Sequence, residues 1–189
     1  MNDFSLFIWF ISYLFVIRIT ELIIAKTNEN WMRRRGAIEF GASHYPYMVS
    51  MHILFFISLI FEKVFFNRGL AAVWPVIFTV FVLTQFLRVW VIASLGRYWN
   101  TKILVLPNAK VIMKGPYRFL RHPNYCVVSL EFIVIPLLFS AYYTFVVYSL
   151  LNLFILSVRI PEEEKALKSL TEYEGSFHAH KRFLPKFVK

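Results

Sequence analysis

Apolar and polar positions fall along this chain in long blocks, not in the short periods of a soluble domain. Three apolar blocks, Phe4–Ala25, Tyr47–Phe66 and Leu70–Leu95, each reach the roughly 20 residues that a helix needs to cross a bilayer. A fourth, Tyr125–Val158, is too long for one helix and short for two full spans. Pro136 and the Ser140-Ala141-Tyr142-Tyr143 stretch near its middle predict a tight hairpin of two helices. The pattern therefore predicts five spans. Between the blocks lie the polar segments 26–46 and 96–124. The first, with Trp31, three arginines and two glycines, predicts an interfacial helix and turn. In the second, Ile103–Leu106 and Val111–Met113 flank Pro107-Asn108 and predict two short extended runs around a turn. Pro161 followed by Glu162, Glu163 and Glu164 marks a new helix start, because proline suits the first turn and acids complement the helix dipole. Leu167, Leu170 and Tyr173 continue at helical spacing and Gly175 is a stop, so an amphipathic helix is expected over 161–175.

Composition sets the class. The chain is 189 residues long, 58% hydrophobic and 19% aromatic, with a mean hydropathy of +0.57. A soluble domain of that length cannot hide so much apolar surface. The expectation is one all-α integral membrane domain over 1–189, with three transmembrane helices in 1–95. A second half, 96–189, comprises loop 96–124, hairpin 125–158 and the C-terminal helix. The first block has no basic n-region and no small-residue cleavage site, so it is expected to stay as a span.

Charge orients the bundle. The stretch before the first block carries only Asp3, and 62–69 carry Lys63 and Arg68. By contrast 26–46 carry Lys26, Arg33, Arg34 and Arg35, and 96–124 carry Arg97, Lys102, Lys110, Lys114, Arg118 and Arg121. The tail from Arg159 is basic as well. This alternation predicts an N-terminus outside the cell membrane, with both long loops and the tail in the cytosol. The +10 net charge follows from that bias and suits anionic lipid headgroups. No aromatic-plus-basic module points to nucleic acid. Cys126 stands alone, with neither a disulfide partner nor metal-ligand spacing, so no metal is expected.

Ionisable residues inside spans are candidates for function. Arg18 and Glu21 share one face of the first helix and suit an interfacial pair as well as a site. His52 is expected to be hydrogen-bonded packing. Arg88 should face the bundle or a wet cavity. Glu131 needs a partner, for which Asn152 is a candidate. Arg88, Glu131 and Asn152 are the candidate substrate contacts.

The densest polar stretch is Gly115-Pro116-Tyr117-Arg118-Phe119-Leu120-Arg121-His122-Pro123-Asn124-Tyr125. Two prolines stiffen it. Rigid backbone carrying donors at a membrane edge suits a soluble, partly anionic ligand, and a plain basic juxtamembrane loop is the other reading. Gly96 and Gly115 are isolated and form no phosphate-cradling pattern.

Gly115, Tyr117 and Arg121-His122-Pro123-Asn124-Tyr125 together resemble the Gly-x-Tyr…Arg-His-Pro-x-Tyr motif of the isoprenylcysteine carboxyl methyltransferase family. Arg159 with Glu162-Glu163-Glu164 and Leu167 resembles its second motif, and Gly175 with Arg182-Phe183-Leu184-Pro185 its closing segment, so the likeness covers about residues 93–187. The shorter N-terminal half, with Asn28-Glu29-x-Trp31, Gly36-Ala37-x-Glu39 and His44-Tyr45-Pro46, looks closer to small bacterial relatives, some of which O-methylate alkylpyrones. The resemblance implies S-adenosylmethionine as cofactor and a lipophilic substrate arriving from the bilayer. It implies that Tyr117, Arg121, His122, Pro123, Asn124 and Tyr125 shape the cofactor pocket, with Glu162 joining from the tail. Arg159 and Glu163 fall in its active centre. The expected reaction is O-methylation of a carboxylate or acidic enol. An NADPH-dependent reductase of sterol-type lipids and a non-catalytic lipid-binding protein remain the rival readings.

Overall fold

The computed structural model describes residues 3–172. Helices α1 (Asp3–Arg33), α2 (Tyr45–Phe65), α3 (Trp74–Leu95), α4 (Pro123–Leu138) and α5 (Tyr142–Leu170) follow one another, and two three-residue strands, β1 (Ile38–Phe40) and β2 (Ile103–Val105), lie between them. Four of the helices, all but α4, are long and apolar enough to cross a membrane. This is an all-α membrane protein with a minimal two-stranded sheet at one end. Prolines open α2, α3 and α4, where a missing N–H costs nothing.

The expected hairpin forms. Ser140 turns the chain with φ +54°, and the Ala141 N–H returns to the Pro136 carbonyl at 2.9 Å. The start of α5 is capped from outside, for the Glu62 carboxylate accepts from Tyr143 N–H at 3.1 Å and from Thr144 N–H at 2.7 Å. At the same end Ala71 N–H donates to the Leu138 carbonyl. At the other end Asn28 donates to the carbonyls of Gly96 and Trp99 at 3.2 and 2.8 Å. Successive helices therefore alternate in direction, and segment 96–122 gathers at the end where α1, α3 and α5 finish.

Three expectations about the elements needed correction. Helix α1 does not stop at Ala25. It runs on through the polar segment, because Glu29 collects Lys26 and Arg33 along the helix and Lys102 from the loop at 2.9–3.1 Å. Second, of the two extended runs expected around the Pro107-Asn108 turn, only the first, Ile103–Val105, forms a strand. It pairs antiparallel with β1, Ile38 opposite Val105 and Phe40 opposite Ile103. Third, no separate helix begins at Pro161, since α5 passes through it unbroken to Leu170. One missing amide bond is tolerated there because Arg159, Ile160 and Glu164 on either side of it are buried against the rest of the fold. Tyr173, Gly175 and Arg182–Pro185 lie outside the described residues.

The core at membrane depth is largely aromatic: Phe7, Phe55, Phe81, Phe132 and Phe139 pack with Ile11, Leu14 and Leu59. Beside it lies a buried ionic knot. Glu131 on α4 accepts from both Arg18 on α1 and Arg88 on α3, and from Gln85 Nε2 at 2.9 Å. Glu21 takes Arg18 at 2.6 Å and Arg88 at 3.1 Å. The partner expected for Glu131 was Asn152, but that side chain donates to Ser129 Oγ at 2.9 Å. A full carboxylate at this depth is better answered by cations than by an amide.

Because Glu131 holds two buried arginines, Glu131→Ala should cost about 3 kcal/mol or more. Lys26→Ala, which removes an exposed partner, should cost less than about 1 kcal/mol. Thermal unfolding of both variants in detergent checks the contrast.

Candidate functional site

The site is built where the start of α4 meets the last turns of α5. Gly115 opens it. Its φ of +57° and its backbone, so close to Ser94 that an added Cβ would overlap the Ser94 hydroxyl, admit only glycine. From there a single 3-10 turn, Gly115–Arg118, buries Tyr117 against Val91 and Val127. Burial, and then the Glu163 carboxylate, push the Tyr117 phenol far above its ordinary range, so it stays a neutral hydroxyl. Pro123 then starts α4 and sends His122 and Tyr125 toward α5.

Across the gap, Arg159 and Glu163 lie on one face of α5, four residues apart. The Tyr125 hydroxyl sits between them. It receives Arg159 Nε at 3.0 Å and donates to Glu163. Arg159 Nη2 donates to the Thr101 carbonyl, while Thr101 Oγ1 meets the Tyr45 hydroxyl at 3.1 Å. The His122 ring stacks on Tyr125, centroids 5.5 Å apart. His122 Nε2 lies 3.1 Å from Glu164 Oε1, to which it donates, and Nδ1 lies 3.7 Å from Glu163. Asn124 Oδ1 accepts from Trp99 Nε1 at 3.4 Å. His122, Arg159 and Glu164 are all buried.

These groups open on a cavity of about 570 Å³. Tyr117, Arg121, His122, Asn124, Tyr125, Arg159 and Glu163 line it, as does Asn152. So does Arg88 of the ionic knot, two helical turns deeper. Pro123 and Glu131 are buried behind the wall. Of the three consecutive acids, Glu163 faces the cavity and Glu164 holds His122, whereas Glu162 is not among the lining residues and its charge reaches His44 instead. Glu162 was the expected cofactor contact; with α5 continuous, Leu156, Arg159, Glu163 and Leu167 share a face and Glu162 lies at its edge, one turn from Arg159.

Sequence reasoning missed Thr101, Trp99 and Tyr45, and it left open which of the three acids faces inward. For the acids the signal was that phase, since Glu164 follows Ile160 by one turn. Tyr45 and Thr101 meet only because β1 and β2 pair. Chemically, the cavity joins cation, carboxylate and aromatic faces at its mouth to apolar walls from α1 and α2, such as Ile19, Ile53 and Ile57. It can hold a zwitterionic, ring-bearing molecule and an apolar chain together.

Residues 76–169, from α3 through nearly all of α5, match the isoprenylcysteine carboxyl methyltransferase (ICMT) family. The uncharacterized protein YpbQ of Bacillus subtilis is 49% identical over 158 residues, 84% of this chain and 94% of that protein. An uncharacterized protein of Haemophilus influenzae is 28% identical over 155 residues, 82% of this chain and 90% of its own.

Gly115→Ala should destabilise the fold by about 2 kcal/mol through the strained φ and the overlap with Ser94, visible as a lowered thermal midpoint. His44, just before α2, supplies a pH test. Burial, and then the Arg159 cation, hold its imidazole below the ordinary histidine range against the opposing Glu162 carboxylate. The unfolded chain therefore takes up the proton first as pH falls through about 6.5, and stability declines from there toward the lower native value. His44→Gln should flatten that part of the midpoint-versus-pH curve.

Proposed function

The chain belongs to the isoprenylcysteine carboxyl methyltransferase family, and from that premise we propose an S-adenosylmethionine-dependent O-methyltransferase acting on a lipophilic carboxylic acid or acidic enol. The observation that carries the proposal is one cavity of mixed character. Its mouth bears Arg121, His122, Tyr125, Arg159 and Glu163, and its inner walls are mostly apolar side chains of membrane helices. A charged, water-soluble methyl donor and a bilayer-soluble acceptor need such a meeting place.

The roles follow from charge and from the bonds around each group. Arg121 suits the donor's carboxylate. Glu163 suits its ammonium or ribose hydroxyls, and the stacked His122–Tyr125 pair suits the adenine or the sulfonium. Arg159 spends Nε on Tyr125 and one Nη2 hydrogen on Thr101, so its remaining donors are available to orient an acceptor oxygen. When bound, S-adenosylmethionine would supply an electrophilic methyl group for in-line displacement by an acceptor oxygen, its sulfur leaving with the bonding electrons. The chain's own residues would align that oxygen and keep the site dry and weakly polar, which favours a step in which an anionic oxygen and a sulfonium cancel. The clustering of Lys and Arg at the site end of the helices supports a cytosolic mouth, where the donor is found. Sixteen-residue α4 is the fifth crossing in this reading.

S-adenosylhomocysteine should stabilise the detergent-purified protein, whereas NADPH should not. Labelled methyl groups should pass from S-adenosylmethionine to a component of a total lipid extract. Arg159→Ala should keep the stabilisation and lose at least 100-fold in turnover, of the order expected for an orienting group. His122→Ala should weaken the stabilisation itself. Absence of saturable S-adenosylhomocysteine binding to the wild-type protein would overturn the reading.

A further inference from the structure

The mouth of the cavity leaves a second polar level unexplained. Arg18, Glu21, Arg88 and His52 also line the cavity, below the Tyr125–Arg159 site. His52 follows Tyr45 by seven residues on α2, about two turns or 10 Å along the same face. Phe132, whose ring lies 5.1 Å from the His52 ring, follows Tyr125 by the same interval on α4.

In the ionic knot Arg88 is fully engaged. Its Nε and both Nη atoms bond Glu131 and Glu21, and 5% of its side chain is exposed. Arg18 serves the same two carboxylates through one hydrogen of each Nη but keeps 21% of its side chain exposed. Its Nε and second Nη hydrogens are left for something in the cavity. His52 Nδ1 lies 2.8 Å from the Met48 carbonyl. A carbonyl only accepts, so Nδ1 carries the proton and Nε2 of the neutral ring offers a lone pair. Among the described residues Nε2 has no hydrogen bond. The groups whose charge reaches that ring are Arg18 from α1, Arg88 from α3 and Glu131 from α4.

Two arginines and two glutamates balance. An anion added beside them would leave one negative charge uncompensated at membrane depth, whereas a neutral acid adds none. A donor at Arg18 and an acceptor at His52 match such a group, C=O to the guanidinium and O–H to Nε2. Apolar surface continues outward from here, because Ile19, Leu22, Ile53 and Ile57 line the cavity and are also more than half exposed on the outside of the bundle.

We propose that Arg18 and His52 form a second polar subsite, two helical turns below the Arg159 site where the acceptor oxygen would react, that takes an un-ionised lipophilic acid, with its tail lying between α1 and α2. The proposal deepens the methyltransferase reading and rests on it for the meaning of the bound acid, but its test is independent of turnover. The probes are hexadecanoic acid and methyl hexadecanoate, which has the carbonyl and the tail but no proton to give. Thermal-shift titration of detergent-purified protein near pH 6 should show the acid binding at least tenfold tighter than the ester. His52→Phe and Arg18→Gln should each reduce that preference to near unity, while S-adenosylhomocysteine still stabilises both variants and so certifies their fold. If Arg18→Gln does not fold, the wild-type preference and His52→Phe decide the matter. An acid-to-ester ratio near one in the wild type, or a tenfold ratio surviving in His52→Phe, overturns the subsite. Loss of S-adenosylhomocysteine stabilisation in the wild type would sink the cofactor reading alone and leave the acid-to-ester comparison to judge the subsite.

Discussion

Ion pairing at membrane depth decides how these helices meet. Glu131 sits in an otherwise apolar helix, and left alone it would cost several kcal/mol. Arg18 and Arg88 answer it, and Glu21 in turn answers them. The arrangement draws α1, α3 and α4 together with charge that cancels, which Leu or Phe contacts of the same area would not do with the same register. Non-directional packing lets a helix slide or rotate by a residue, whereas bidentate guanidinium–carboxylate geometry does not. The depth of α4, and with it the position of His122 and Tyr125 at its start, follows from where Glu131 is held.

The same rule operates again at the mouth. Arg159 and Glu163 on α5 meet through the Tyr125 hydroxyl, and Glu164 meets His122. Each buried charge has a partner, and each partner comes from a different element. Seven-residue steps along α2 and α4 lead from Tyr45 and Tyr125 to the His52–Phe132 ring contact about two helical turns deeper. Between the levels the wall is apolar. A cavity so organised offers a polar face at each end of an apolar middle.

Much of this was legible beforehand, because membrane helices announce themselves by length. The blocks ending near Phe66 and Leu95 and the hairpin turn at Ser140 were set by hydropathy and proline alone. The Arg121-His122-Pro123-Asn124-Tyr125 run and Arg159 were legible as a motif, and the cavity brings most of them together. What stayed hidden depended on pairing across the fold. Nothing local says that Ile103–Val105 would choose Ile38–Phe40, or that Glu131 would take Arg18 in place of Asn152. Pro161 misled for a physical reason. Proline is a good helix start and a poor helix interior, so breaking the helix there was the cheaper local choice. That break discarded the phase that separates Glu163 and Glu164 from Glu162. Tertiary burial of Arg159 and Ile160 outweighed one lost amide bond.

The unequal lengths of the helices complete the account. Helix α1 with 31 residues is about 46 Å long, and α4 with 16 is about 24 Å. With Leu138 of α4 tied to Ala71 at one end of the bundle, the start of α4 falls well short of the other end. The missing length is occupied by the Trp99–His122 segment, whose backbone is irregular and would be intolerable against lipid. Here it is shielded by the long end of α1 and by the last turns of α5, and its polar groups are spent on Asn28, Asn124 and Arg159. A notch left by a short helix, rather than a loop standing clear of the membrane, therefore sets the Tyr125–Arg159–Glu163 cluster below the long end of α1. Lengthening α4 by a turn would raise His122 and Tyr125 out of register with Arg159 and Glu163 while leaving every residue of the motif in place, so the depth of the site is encoded by helix length as firmly as its chemistry is by side chains.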